Sequence, residues 1–215
     1  YIIKKTVLEK INSHLIIHNC FNFDILLQST EITKFIHHIS IPLYSIKHNQ
    51  ILNVNSKKLE LSNHLIRINL KAIVKHGITM DTFQINYKLD KKPKVSIIIP
   101  TKNNYKILKR CIDSIEKKTN YENKEIIIVD NSSTDVVTKK YYSSLPYKII
   151  TYPENFNFSK MNNLAVQSSS GELLLFLNDD TKVLDSFWLD ELASIAMQED
   201  VGIVGPKLIF SDNTI

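Results

Sequence analysis

A chain of 215 residues that is 43% hydrophobic and 23% charged has the make-up of an ordinary globular protein, large enough for one big domain or two small ones. That balance excludes a disordered, collagen-like or coiled-coil chain. The net charge of +5 is unevenly placed: 14 Lys or Arg face 6 Asp or Glu up to Val95, whereas 13 face 16 from Ser96 onward.

Only two cysteines occur, Cys20 and Cys111, too far apart for a disulfide framework or a zinc knuckle, so a reducing compartment is expected. Apolar runs such as Ile97 to Ile99 and Leu173 to Leu177 fall well short of the roughly 20 residues that cross a bilayer. The chain opens on Tyr1 and carries no short apolar segment with a small-residue cleavage site, so it reads as a piece of a longer protein without a secretory signal.

All seven histidines, His14 through His76, lie in the basic first part, and Lys91-Lys92-Pro93-Lys94 sits at the charge crossover like a linker. We expect a domain boundary near Pro93, with residues 1–93 as an accessory region. Its lysines are scattered singly, which favours a solvated surface over an anionic partner; no nucleic acid is expected, and peripheral membrane contact is the alternative that the charge allows.

Ile3, Val7, Ile11 and Leu15 repeat every four residues and predict an amphipathic helix, or two short ones, across Ile2 to Ile17. His14 and His18 stand four apart on it, but with no third ligand nearby no metal is assigned to them. Ile66 to Val74 and Phe83 to Leu89 alternate apolar and polar residues, predicting two antiparallel strands around a loop at 76–81, with Leu52 to Leu61 supplying further strands to a small β-rich region.

From Val95 the pattern becomes strand, helix, strand. Strands are expected at Val95 to Ile99, Glu125 to Val129, Lys148 to Tyr152, Leu173 to Leu177 and Val201 to Phe210. Helices are expected around Leu108 to Ile115, Val136 to Tyr142, Lys160 to Gln167 and Trp188 to Ala196. Runs apolar on both faces mean strands covered on both sides, so the fold class is α/β, a sandwich around a mainly parallel sheet.

Ligands of such sheets bind at the carboxyl ends of the strands. There the sequence places Pro100-Thr101-Lys102-Asn103-Asn104, Asp130 to Asp135, Pro153-Glu154-Asn155 and Asn178-Asp179-Asp180-Thr181, four polar loops expected on one edge. With glycine only at positions 77, 171, 202 and 205, neither a dinucleotide fingerprint nor a P-loop exists. Asp179 and Asp180 instead offer hard oxygen ligands to a divalent cation, Mg or Mn, whose shell a diphosphate would complete. Their ordinary alternative is helix capping, as it is for Asp130 and Asp135.

The blocks Val95 to Thr101, Glu125 to Asp135 and Gly171 to Thr181, in that order, resemble the family 2 glycosyltransferases over about residues 94 to 212. The resemblance implies a GT-A fold in residues 94–215 that binds a nucleotide-diphosphate sugar and a divalent cation. It implies transfer of the sugar, usually with inversion, to an acceptor hydroxyl on a glycan or lipid-linked glycan, in bacterial surface polysaccharide synthesis. The setting implied is cytoplasmic, at the inner face of the membrane. In the family's terms Pro100, Thr101 and Asn103 edge the base pocket, Asp130 bonds the base or ribose, with Ser132 and Asp135 as lesser candidates. Asn155, Lys160, Asn163 and Asp179 lie near the donor.

Where the family commonly carries Asp-x-Asp, this sequence reads Asn178-Asp179-Asp180, which makes Asp180 the better metal ligand and leaves Asn178 a carbonyl oxygen to offer. The family's catalytic base comes from an acceptor half that follows this segment, so we expect it beyond residue 215 and the chain alone to be inactive. A sugar nucleotidyltransferase, which needs a glycine-rich loop after the first strand, and a non-enzymatic docking module are the competing readings.

Overall fold

The structure, a computed structural model, describes residues 2–11, 21–38, 54–79, 82–210, 212 and 214. The chain forms two compact units, residues 1–88 and 89–215. The division falls after Lys88 because Leu89 packs against the core of the second unit.

The first unit contains helices α1 (Lys5–Leu8), α2 (Phe21–Ile32) and α3 (Val54–Arg67), then an antiparallel hairpin of β1 (Ala72–His76) and β2 (Phe83–Tyr87) with Val74 opposite Ile85. The hairpin matches the expected pairing; three neighbouring assignments change. Leu52 to Leu61, read as strands, belongs mainly to α3, where Val54, Leu61 and Leu65 recur at helical spacing and Leu65 is buried. Ile66 and Arg67 close that helix, and the strand starts only at Ala72, after Asn69 turns the chain at φ 58°. Of the helix expected over Ile2 to Ile17 only Lys5–Leu8 is helical among the described residues; His14, His18 and Cys20 lie outside them.

Asp24, 1% exposed on α2, accepts a hydrogen bond from Arg67 of α3 at 3.1 Å, and the same guanidinium reaches Glu31 at 2.8 Å while His64 Nδ1 meets Glu31 at 2.7 Å. Burying a carboxylate is tolerated because that partner is fixed opposite it.

The second unit is built on four parallel strands, β3 (Val95–Thr101), β4 (Lys124–Asp130), β5 (Lys148–Thr151) and β6 (Leu173–Phe176), in the spatial order β5-β4-β3-β6. Four helices connect and follow them: α4 (Tyr105–Lys118), α5 (Val136–Tyr142), α6 (Phe158–Val166) and α7 (Trp188–Ala196). The expected α/β sandwich is present. Alternate residues of the isoleucine-rich strands feed two cores: Ile97, Ile99, Ile126 and Ile128 pack with Leu108, Ile112 and Ile115 of α4 and Leu189 of α7, while Ile98, Ile127 and Val129 pack with Met161 and Ala165 of α6. Ile97, Ile98 and Ile99 have no exposed surface, and each such side chain contributes about 1.5–3 kcal/mol by leaving water.

Two expectations fail at the margin of this sheet. Leu173 to Leu177 was expected to be covered on both faces, but β6 is an edge strand whose Leu174 and Phe176 stay 40% and 49% exposed. Val201 to Phe210 forms no strand: no ladder partner faces it among the described residues, Gly202, Gly205 and Pro206 interrupt it, and Ile203, Leu208 and Phe210 remain exposed.

At the amino ends of the strands Glu125 gathers hydrogen bonds from Ser96 Oγ at 2.5 Å and Ser170 N at 2.7 Å and pairs with Lys94 at 3.0 Å, while Gly171 N donates to Ser96 Oγ at 2.8 Å. A Cβ on Gly171 would stand 2.5 Å from Ser96 N, so only glycine lets β6 enter beside β3.

Candidate donor site at the carboxyl rim

The chain leaves β3 toward β4 and β5 on one side and returns as β6 on the other, so the order of strands reverses at β3. Crevices in open α/β sheets form at such a reversal, beyond the carboxyl ends of the strands. Thr101 ends β3, Asp130 ends β4 directly opposite it, and Asp179 follows β6. Thr101 Oγ1 donates to Asp179 Oδ2 at 2.6 Å, closing the gap between β3 and β6. Asp130, Asp179 and Asp180 therefore share one rim.

Asp130 is 6% exposed and holds its own loop: Ser133 N reaches both carboxylate oxygens at 3.1 Å, Ser133 Oγ donates to Oδ1 at 2.5 Å and the Tyr142 hydroxyl at 3.0 Å. Burial, with the negative charges of Asp130 and Asp179 nearby, pushes the Tyr142 phenol well above its usual range. Asp135 caps α5, accepting from Thr138 N at 2.9 Å and Thr138 Oγ1 at 2.6 Å, which is the ordinary capping role.

Asn103 stitches two rim loops together. Its N–H donates to Ser133 Oγ at 2.8 Å, and its Oδ1 accepts from Thr134 N at 2.7 Å and Asp135 N at 3.0 Å. Asn103 and Ser132 sit at φ 50° and 51°, in the left-handed region where a short polar side chain can steady the backbone locally. Ser132 Oγ in turn donates to Tyr152 O at 3.0 Å. Pro100 is a buried β3 residue, paired with Val129 across the ladder.

The remaining candidates are less enclosed. Asn155 and Asn163 are exposed, and Lys160 pairs with Glu154 at 2.9 Å with both side chains 60% exposed. Asn178 and Asp180 are exposed, Asp179 half-buried. The backbone carbonyl of Asn178 is already bonded by Thr181 Oγ1 at 2.8 Å and lies 3.8 Å from Cys111 Sγ. Cys111 is buried, free of any disulfide, and burial together with Asp179 and Asp180 pushes its thiol up to about 11 despite a hydrogen bond to Thr181.

Sequence reasoning passed over Asn131 as an ordinary turn residue. It is 1% exposed, donates from Nδ2 to Glu154 O at 2.8 Å and Tyr152 O at 3.3 Å, and its Oδ1 is buried with no partner. It also missed Asn162, beside the chosen Asn163, whose buried Oδ1 is likewise unpartnered. Nothing in the sequence separates an inward from an outward Asn in Asn162-Asn163 except that position 162 follows the buried Met161.

Among the described residues no three His, Cys, Asp or Glu side chains converge as a metal cage. The donor set at the rim still suits a hard cation, since Mg-like ions commonly take one or two carboxylates and complete their shell with phosphate and water.

The family model for Glycosyl transferase family 2 matches residues 96–214, and the chain belongs to that family. It is 34% identical over 206 residues to the O-antigen biosynthesis protein RfbC of Myxococcus xanthus, a match covering 89% of this chain and 16% of that protein. It is 32% identical over 212 residues to the uncharacterized protein y4gI of Sinorhizobium fredii, covering 90% of this chain and 23% of that one. The chain thus spans less than a quarter of the length of either relative, and both matches reach well into the first 93 residues, which the motif resemblance leaves uncovered. Among solved structures, the mannosyltransferase PcManGT from Pyrobaculum calidifontis, in complex with GDP-Man and Mn2+, aligns with a TM-score of 0.48 at 21% identity over 53% of this chain and 35% of that one.

Proposed function

We propose that the second unit holds a nucleoside-diphosphate sugar against the carboxyl rim of its sheet, and that the protein transfers the sugar to an acceptor hydroxyl, with inversion, in the assembly of a bacterial surface polysaccharide. The observation that carries this reading is the bond from Thr101 to Asp179, which joins β3 and β6 across the reversal of strand order and sets an acidic pair beside an open rim. The name of the Myxococcus relative, an O-antigen biosynthesis protein, supports the polysaccharide setting.

In this reading the loops tied by Asn103 and Asn131 form the wall against which base and ribose lie. Asp130 acts by shaping that wall, since Ser133 and Tyr142 already occupy its carboxylate. Asp180, exposed beside the anchored Asp179, would be the principal ligand of a divalent cation, with the Asn178 side chain next to it. Such a cation would offset the charge that builds on the departing nucleoside diphosphate. Lys160 is held near the β5 loop by Glu154, and exchanging that carboxylate for a donor phosphate would cost little at so exposed a pair.

Deprotonation of the acceptor hydroxyl needs a base, and of the described rim aspartates Asp130 and Asp179 are engaged in hydrogen bonds while Asp180 is given to the cation in this reading. We assign that role to an acceptor-binding part outside this chain, so the 215 residues bind donor without turning it over. A panel of uridine, guanosine and thymidine diphosphate sugars, scored by thermal shift with and without Mn, tests the reading, because a ligand that binds only the folded state raises its stability by mass action. Stabilisation by one donor that EDTA abolishes is expected; no response to any donor would sink it.

A further inference from the structure

From Ser96 onward the chain is acidic, with 16 Asp or Glu against 13 Lys or Arg, yet Lys106, Lys109, Arg110, Lys117, Lys118 and Lys182 line a single groove of about 340 Å³ whose only acidic lining residue is Asp113. The placement follows from helix geometry. Positions 106, 109, 110, 113 and 117 of α4 are spaced i, i+3, i+4, i+7 and i+11, one continuous stripe, while Leu108, Cys111, Ile112 and Ile115 turn to the core. Lys182 completes the groove from the segment after Asp180, which is held to α4 where Val183 N donates to Ser114 Oγ at 3.0 Å.

Local roles account for part of the cluster. Lys109 pairs with Asp113 at 2.7 Å, Lys118 donates to Leu184 O at 3.3 Å, and Lys117 and Lys118 in the last turn suit the negative end of the helix dipole. Lys106, Arg110 and Lys182 are exposed, and no such role falls to them among the described residues. Leu184, whose carbonyl accepts from Lys118, is 57% exposed and separated from Lys182 only by the buried Val183; Phe187, also 57% exposed, follows three residues on, past the exposed Asp185.

We propose that this face docks the protein on an anionic lipid surface, the cations lying among phosphate headgroups and Leu184 and Phe187 entering the interfacial layer. Charge complementarity selects an anionic partner, and exposed apolar side chains beside the cations select a membrane over a soluble polyanion, which offers them nothing to enter. The face adjoins the carboxyl rim, since Lys106 lies in the first turn of α4 and Lys182 two residues beyond Asp180. The proposal stands apart from the donor reading and is tested without donor.

The intact chain is sedimented with vesicles of phosphatidylglycerol and phosphatidylcholine and with vesicles of phosphatidylcholine alone. Binding is expected only with the anionic lipid, weakening as salt rises. Lys106→Ala, Arg110→Ala, Lys117→Ala and Lys182→Ala together are expected to lower the partition at least about tenfold, given the attraction of each cation to such a surface. Lys4→Ala, Lys10→Ala and Lys34→Ala, in the basic first part, are expected to leave it unchanged, and Leu184→Ser with Phe187→Ser to remove the binding that survives high salt. Circular dichroism confirms that each variant is folded. Absence of binding to anionic vesicles, undiminished binding by the four-site variant, or affinity of the groove for inorganic pyrophosphate without vesicle binding would each overturn the proposal.

Discussion

The Thr101 hydroxyl and the Asp179 carboxylate, 78 positions apart in sequence, meet at 2.6 Å beyond the carboxyl ends of the neighbouring strands β3 and β6. The bond fixes one acidic side chain of the rim and leaves the next, Asp180, facing solvent. Thr101→Val removes the donor while keeping the shape, and a hydrogen bond to a charged group contributes roughly 1.5–3 kcal/mol. We expect urea denaturation to show a loss within that range and Thr101→Ser to restore most of it.

Asp180→Asn separates binding from folding. The side chain is exposed and makes no hydrogen bond that supports the rim, so stability should stay within about 0.5 kcal/mol of the parent. Isothermal titration with a responsive donor should then show the Mn-dependent part of its affinity gone. An unaltered Mn dependence would move the cation elsewhere.

Asp130→Asn should behave in the opposite way. It replaces an acceptor for Ser133 N, Ser133 Oγ and the Tyr142 hydroxyl with a group half of which is a donor, at a buried position. A loss of about 2–3 kcal/mol in thermal or urea unfolding is expected, with Tyr142→Phe costing less because it removes one partner only.

Acid should loosen the second unit through Glu125. Burial pushes its carboxyl up, but hydrogen bonds from Ser96, Ser170 N–H and Lys94 outweigh burial and bring it down to about 2 from an ordinary 4.5. A group depressed on folding stabilises fully above its unfolded value and loses that contribution as pH falls through its folded value, so the loss should run from about 4.5 down to about 2. Glu125→Gln should lower stability at neutral pH and flatten that limb of the curve, measured by urea titrations at stepped pH.

Gly171→Ala tests the same corner sterically. The new methyl would meet the Ser96 backbone nitrogen and hydroxyl at 2.5 Å, and backbone cannot step aside as a flexible side chain would. Destabilisation by more than 1–3 kcal/mol, the usual range for overpacking, is expected from the melting temperature.

The α/β half was legible because its strands are runs of β-branched residues long enough to be covered on both faces and its helices carry clean amphipathic stripes, as in Val95–Thr101 and Tyr105–Lys118. The rim residues were legible for the same reason, since strand ends in a parallel sheet must gather at one edge. The first unit was harder. Leu52 to Leu61 holds few apolar residues, and α3 is held by Arg67 and His64 reaching α2, contacts across more than 30 positions that no local period reveals. The division of labour between Asp130, which supports its own loop, and Asp180, which faces outward, could not be read from two aspartates that both follow apolar strands. Val201 to Phe210 misled because apolar content alone does not make a strand without a neighbour to pair with.

Cys111, on the buried side of α4, turns its sulfur to the Asn178 carbonyl, and its thiol keeps its proton at neutral pH. Thiolate, the species that attacks alkylating reagents, is thereby scarce for as long as the sheet is closed. Iodoacetamide labelling mapped peptide by peptide would consequently time the opening of this half from within, with no engineered probe.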